Sequence, residues 1–377
     1  MEGTAGVARG IRGRESLYGW AFVTPAILII GVFLALPILL ALYVSFSDWN
    51  GLGSPLGNSE LVGGENYAKV LLDSGLAQTN FGTALRNNLY YVLLVVPLQT
   101  ALALLLAVQV NRRVLKARGF FRTAFYFPSV TSSIAITTIF LFLFLGSGAV
   151  NAVLGWFGVN GPNWFSDPSG VLHRLLGLVG VDGSGALGAA GPLGLSWWEW
   201  LSGPSVAMCV LIILAVFTTS GTFMLLFLAA LQNVGEEIDE AAMVDGAGAF
   251  RRFFSVTLPM LKPTLFTVLT LGLIGTWQVF DQVYLTGGGD PGKTTLTPAY
   301  LAYDTSFTDL RWGQGAAIAF ILFAIIVGFT LLQRFVLRDR DLGRAGDRRA
   351  QKAGERLRRD AARAQAAREA RLPKETR

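Results

Sequence analysis

Five carboxylates, Glu236, Glu237, Asp239, Glu240 and Asp245, crowd into ten residues of this chain. Grouped acids can hold a divalent cation or share acid–base work. Asp239, Glu240 and Asp245 are the nearest approach to such a pair, but they lack the D-x-x-x-D spacing that metal-dependent prenyl or glycosyl transfer in a membrane would suggest. The segment around them, EEIDEAAMVDGAGAFRRFFSVTLPMLKP over 236–263, has a different logic. Glu237, Glu240, Ala241, Val244 and Ala247 fall at helical spacing, and Gly246 and Gly248 let the chain turn. A second helical piece is predicted from near Phe250 to just before Pro259, with Arg251 and Arg252 on its wetted side. Small apolar residues beside a row of carboxylates suit a helix seated in a groove of another protein. The plainer alternative is an interfacial loop joining two apolar spans, and spacing alone leaves both open.

A second constellation lies in an apolar stretch. Gln278 and Gln282 are four apart, Asp281 follows Gln278 by three, and Trp277 lies beside them. On one helix the three polar groups share a side. Amides and a carboxylate accept sugar hydroxyls and an aromatic face stacks on a sugar ring, so a gate or sugar-lined passage is one reading. Helix-to-helix hydrogen bonding near an interface is the other. Gln99, Asn151 and Thr218 are weaker candidates of the same kind.

Other chemistries are not encoded. TGGGDPGKTT has glycines and a lysine but not the G-x-x-x-x-G-K-[ST] order of a phosphate-binding loop, so this chain is not expected to hydrolyse ATP. His173 is the single histidine and Cys209 the single cysteine, which leaves neither a metal cluster nor a disulfide framework, and no cofactor is expected.

The elements that carry these residues are membrane spans. Of 377 residues 52% are hydrophobic and 15% charged, and mean hydropathy is +0.50. A soluble domain carries roughly 25% charged residues. Spans are predicted near 18–46, 88–110, 123–145, 205–231, 264–285 and 315–335, giving an all-α polytopic membrane protein with six transmembrane helices. The first is too long for a signal-peptide core and is read as retained. The 111–122 connection has five basic residues and no acid, and 334–377 has 15 basic against 7 acidic. Longer connections at 48–87, 146–204 and 287–313 hold two, one and two basic residues. The positive-inside rule then places both termini, 111–122 and 236–263 in the cytoplasm. The 236–263 island is itself acidic, which that rule does not explain and a docking surface does. Residues 1–17 read as a cytoplasmic lead and 18–337 as the transmembrane domain. The 338–377 tail is a basic, Ala- and Arg-rich solvated extension near anionic headgroups, without the aromatics of a nucleic-acid module.

The order of residues adds a resemblance. Glu240-Ala241-Ala242, Gly246 and Leu258-Pro259 resemble the EAA signature of ABC importer permeases, and Asp245, Ala247, Phe250 and Phe254 match the maltose and glycerol-3-phosphate type. Val256 replaces the usual Ile and Gly235 a frequent Pro. Similar likenesses are Arg118-Gly119, Phe121-Arg122 and Phe127-Pro128, then Phe280, Asp281, Val283, Tyr284 and Thr286 to Gly289, and Gly313 with Ala316 and Ala317. Together they cover roughly 18–337.

The resemblance implies the six-helix permease fold in a bacterial inner membrane, one half of a channel that imports an oligosaccharide or disaccharide. It implies a homologous second permease, two ATP-binding subunits, an extracytoplasmic substrate-binding protein, surrounding lipid and no nucleic acid. Glu237, Glu240, Ala241, Ala242, Asp245, Gly246, Phe250, Leu258 and Pro259 would couple to the ATPase, and Trp277, Gln278, Asp281 and Gln282 are the gate or pathway candidates. Glycerol-phosphate or amino-sugar uptake is the alternative cargo, and a membrane transferase a remoter one. Two departures concern the outer side. Residues 170–203 read as an external insertion whose removal should leave insertion into the membrane and subunit association intact, with Trp197, Trp198 and Trp200 near outer headgroups. Asp290 interrupts the family's Gly-Gly-Gly-Pro order.

Overall fold

The computed structural model describes residues 14–112, 116–234 and 236–336, so the expectations for the first residues of the N-terminal lead and for the 338–377 tail lie outside the described residues. The described chain is helical, with isolated bridges between Ser47 and Leu61, Gly170 and Ser205, and Ala190 and Ser196 in place of a sheet. In order it runs α1 (Arg14–Ile30), a π turn at Gly31–Ala35, α2 (Leu36–Ser45), α3 (Glu65–Leu71), α4 (Leu76–Asn111), α5 (Arg118–Val130), α6 (Ser133–Leu143) and α7 (Ala149–Trp156). Then come α8 (Val171–Leu178), α9 (Trp197–Trp200), α10 (Val206–Gln232), α11 (Glu236–Val244), α12 (Ala249–Arg252) and α13 (Leu258–Met260). Last are α14 (Lys262–Trp277), α15 (Asp281–Leu285), α16 (Pro298–Tyr303) and α17 (Trp312–Val336).

Five helices are long and apolar enough to cross a bilayer, and a sixth span is reached if α5 and α6, bent by 96° to one another, are counted as one. The protein is an all-α, multi-pass membrane protein. Three spans differ from the sequence reading, the one expected at 264–285 being interrupted between Trp277 and Asp281. The helix expected at 88–110 starts at Leu76, because the polar turn that precedes Asn88 continues the helix and is buried against later segments. The span expected as one helix at 123–145 breaks after Val130, where Thr131 takes an extended conformation (ψ 144°).

α4 and α10 form the centre of the unit spanning residues 1–327. Ala103, Ala107 and Val110 of α4 pack on Phe223, Met224, Phe227, Leu228 and Leu231 of α10, all buried. Small residues on one face let large ones on the other interdigitate. Nearer the other end Tyr91 and Val95 meet Met208, Leu211, Ile212 and Ala215, with Val279 and Val283 closing the cluster. α5 crosses α10 with backbones almost touching: a Cβ on Gly221 would lie 2.3 Å from the Phe125 carbonyl oxygen. The Ser129 hydroxyl donates to the Thr218 carbonyl across the same crossing at 2.5 Å. Of the remaining unit, from Gly328 onward, only the end of α17 is described.

The end of α2 and the start of α17 share one joint. Asn66 donates to the carbonyls of Ser45 at 3.1 Å and Ser47 at 2.8 Å. Gly313 fits beneath them, since a Cβ there would stand 2.1 Å from Ser47 O and 2.8 Å from Asn66 Nδ2. Gly313→Val should therefore cost the assembled protein about 3 kcal/mol through overpacking that backbone cannot relieve. Thermal unfolding of the purified complex measures it, with Gly19→Val, where nothing lies within 4 Å, as the reference. Equal midpoints for the two variants would remove this joint from the list of things holding the fold.

Candidate functional site

The acidic island folds as its spacing predicts, and its hinge has a defined geometry. Asp245 N–H donates to Ala241 O, Gly246 N–H to Met243 O and Ala247 N–H to Ala242 O, each at 3.0 Å. With Gly246 at φ +74°, this is a Schellman stop, in which a left-handed residue satisfies the last carbonyls of α11. Glycine is the residue that reaches that φ without strain. Past the stop, α12, a π turn at Phe253–Thr257 and α13 return the chain to Leu261, which is buried in the α4–α10 core.

Glu240, Ala241, Asp245, Phe250 and Pro259 are exposed, and Ala242 and Leu258 half-buried. Glu237 lies in α11, but its side chain is outside the described set. Val244 is 88% exposed and Phe250 80%, with Ile238, Met243 and Phe254 also uncovered. These large apolar side chains lie uncovered on one short polar connection. Ile238 and Met243 were missed from sequence because the carboxylates between them hide the apolar spacing.

The second constellation surrounds a cavity of about 240 Å³ between α4, α10 and the α14–α15 break. Gln99, Thr218, Thr219, Gln278, Asp281 and Gln282 supply its polar wall. Gln99 is fully buried deep within α4; its Oε1 accepts from Thr219 Oγ1 at 2.5 Å, and its Nε2 has no hydrogen-bond partner. Gly272 makes room for that amide, as a Cβ there would stand 2.4 Å from Nε2. Gln282 Nε2 reaches Ser133 Oγ at 3.4 Å.

Gln278, Asp281 and Gln282 do meet at one cavity, but not by helical periodicity. α14 ends at Trp277 and α15 begins at Asp281, so the break itself turns the three inward. Trp277 goes the other way: it is fully buried against Val92, Val96, Leu322 and Ile326, and its carbonyl accepts from Asn88. Its ring lies in the core and not on the cavity wall. Asn151 is also structural, donating to Gly146 O and Pro162 O and accepting from Trp164. Thr219 escaped the sequence reading because a threonine in an apolar run usually bonds its own helix, as Thr219 also does to Ala215 O.

Residues 170–203 are no free appendage. Tyr90 Oη donates to Trp200 O at 2.7 Å, Arg86 Nη1 to Glu199 O at 3.1 Å, and Leu193 sits on Gly82. Deleting the segment would strip acceptors from two α4 side chains, which the tolerance expected from sequence did not foresee. Trp197 is half exposed, whereas Trp198 stacks on His173 at 4.1 Å and Trp200 donates to Pro192 O. At the segment's start burial raises the Asp167 carboxyl, but hydrogen bonds from Ser169 and the Arg174 guanidinium outweigh it and hold it below the usual range. That anchor is complete at neutral pH and fades as pH falls through the depressed value.

Residues 99–341 match the family described as binding-protein-dependent transport system inner membrane component. The chain is 32% identical over 326 residues to the lactose transport system permease protein of Rhizobium radiobacter, spanning 85% of this chain and 94% of that one. It is 31% identical to the arabinooligosaccharides transport system permease protein of Halalkalibacterium halodurans, over 73% and 75% of the two chains. A bacterial ABC transporter involved in the import of the acidic polysaccharide alginate shares the fold, with a TM-score of 0.64 over 86% of this chain and 96% of that one, at 18% identity.

Proposed function

The chain belongs to the family of binding-protein-dependent transport system inner membrane components, and on that premise we propose that it is one of two permease halves of an ATP-driven importer of disaccharides or oligosaccharides. The observation that carries the cargo is the cavity at the α14–α15 break. Its wall offers two kinds of sugar partner, amides and hydroxyls on α4 and α10 and the Asp281 carboxylate opposite them. Among the described residues no lysine, arginine or histidine lines it. A glycerol phosphate would meet Asp281 there with no cation to offset it, so a neutral saccharide is the better fit. The named relatives carry lactose and arabinooligosaccharides, which supports the same class.

In this reading the 111–122 loop, 236–263 and both termini face the cytoplasm. Glu240, Asp245 and the uncovered Val244 and Phe250 meet an ATP-binding subunit, and a substrate-binding protein delivers cargo from the other side. The membrane is the bacterial inner membrane. The test is uptake into vesicles holding both permeases and both ATP-binding subunits, with the binding protein outside. ATP-dependent entry of a labelled disaccharide should be competed by an unlabelled oligosaccharide and not by glycerol 3-phosphate. The opposite competition would overturn the cargo. Single cysteines at Ser184 and Gln365 should label from outside and only after permeabilisation, respectively; the reverse would overturn the orientation.

A further inference from the structure

A second cavity, of about 350 Å³, opens where 170–203 covers the start of α4. Its wall includes Thr79, Asn80, Thr83, Arg86, His173 and Lys293. Where the transport cavity has a carboxylate and no cation, this one has two cations. Arg86 is only 8% exposed, and burying a guanidinium away from water is costly without an anion. Yet its bonds are to neutral groups: Nε and Nη2 to Asn87 Oδ1 at 3.3 and 2.9 Å, and Nη1 to Glu199 O at 3.1 Å. A guanidinium has five N–H donors. Lys293 Nζ donates only to Asn80 Oδ1, at 2.9 Å. Glu199, the carboxylate in the wall, accepts from Ser196 N and Oγ at 2.7 and 2.9 Å. Neither cation is in an ion pair among the described residues, and two cations against the one Glu199 carboxylate leave the wall with one positive charge in excess, with hydroxyl and amide groups beside it.

Its depth and surroundings identify the anion. The apolar run of α4 begins at Leu89, one helical turn past Arg86, so the guanidinium stands just outside that run, on the side toward the polar headgroup region. His173 belongs to α8, a short amphipathic helix whose Leu172, Leu175 and Leu178 are exposed, with Val179 just beyond. An apolar face of that kind beside a polar cavity suits a helix lying in the membrane surface. We propose that this cavity binds the phosphate of an anionic phospholipid headgroup, with Arg86 and Lys293 on the phosphate oxygens, Thr79, Asn80 and Thr83 on the glycerol, and the acyl chains running along α8. The insertion is then the wall of a lipid site.

The measurement is native mass spectrometry of the complete membrane complex released from vesicles of equal phosphatidylglycerol and phosphatidylcholine. The wild-type complex should retain phosphatidylglycerol about ten-fold over phosphatidylcholine, a ratio within reach of charge-assisted hydrogen bonds. Lys293→Gln should bring retention close to parity; its side chain holds nothing else but Asn80, so the fold is not at stake as it would be for Arg86. Glycerol 1-phosphate, added free, should not displace the lipid. Parity in the wild type, or an unchanged ratio in Lys293→Gln, overturns the site. Displacement by the free phosphate ester assigns it to a soluble phosphate and overturns the lipid. None of these outcomes depends on which sugar is carried.

Discussion

Gly246→Val should abolish ATP-coupled uptake while the permease remains inserted in the membrane. The Cβ of the new side chain meets open space, since apart from the adjoining residues nothing lies within 4 Å of it. Its effect is confined to the backbone: at φ +74° a left-handed conformation costs an L-residue about 1–2 kcal/mol, and a β-branched one more. The hinge relieves that strain by leaving the left-handed region, which breaks the two hydrogen bonds from Gly246 and Ala247 that end α11. α12 then departs in another direction, and Val244 and Phe250 no longer share a surface. Glu240→Ala should do less. It removes one exposed carboxylate, worth about 2–5 kcal/mol where a partner desolvates it and a fraction of that at a rim. The readouts are uptake, binding-protein-stimulated ATP hydrolysis and co-purification of the ATP-binding subunits. Wild-type coupling in the Gly246→Val, Glu240→Ala double variant would sink the docking role of 236–263. Gly246→Ala, which keeps the strain and adds only a methyl, should fall between.

That hinge was legible in the sequence because its cause is local. A glycine after a helical run is a C-cap signal whatever the rest of the chain does, and the island's order of Glu240-Ala241-Ala242 and Leu258-Pro259 needs no tertiary partner to be recognised. The spans were legible for the same reason, since apolar length is a property of each segment alone. Trp277 and the Gln278–Gln282 group show where such reading stops. Helical spacing put Gln278, Asp281 and Gln282 on one side of a continuing helix with Trp277 beside them, but the helix ends between them, and only the packing of Trp277 against Val92 and Leu322 determines which side of the break each takes. The contacts of the 170–203 segment were hidden for a related reason. Its composition is that of a loop, and its attachment to Arg86, Tyr90 and Gly82 joins residues about a hundred positions apart, which no pattern within the segment encodes.

Gly272→Leu should separate transport from assembly. Gly272 is buried beside the amide of Gln99, and even a single Cβ there would approach Nε2 to 2.4 Å. An amide at the end of a flexible side chain can yield to a methyl group, so Gly272→Ala should shift Gln99 and reduce uptake only in part. Leucine asks for far more volume, and the space next to Gly272 that is not core is the cavity. Its side chain would fill part of the 240 Å³ and displace Gln99 from Thr219, closing the polar wall where sugar hydroxyls are expected to bind. Uptake of the labelled disaccharide should drop by at least about ten-fold, the effect of losing one or two hydrogen bonds to cargo. The ATP-binding subunits should still co-purify, because 236–263 lies on a different part of the chain and is untouched. Gln99→Leu provides the companion case: it removes the amide, with its unpartnered Nε2 and its bond from Thr219, without adding bulk, and should weaken competition by oligosaccharide more than it slows maximal uptake. Undiminished uptake in Gly272→Leu with the complex intact would show that cargo does not pass this cavity, and the assignment of Gln99, Thr219 and Asp281 to the pathway would fall with it.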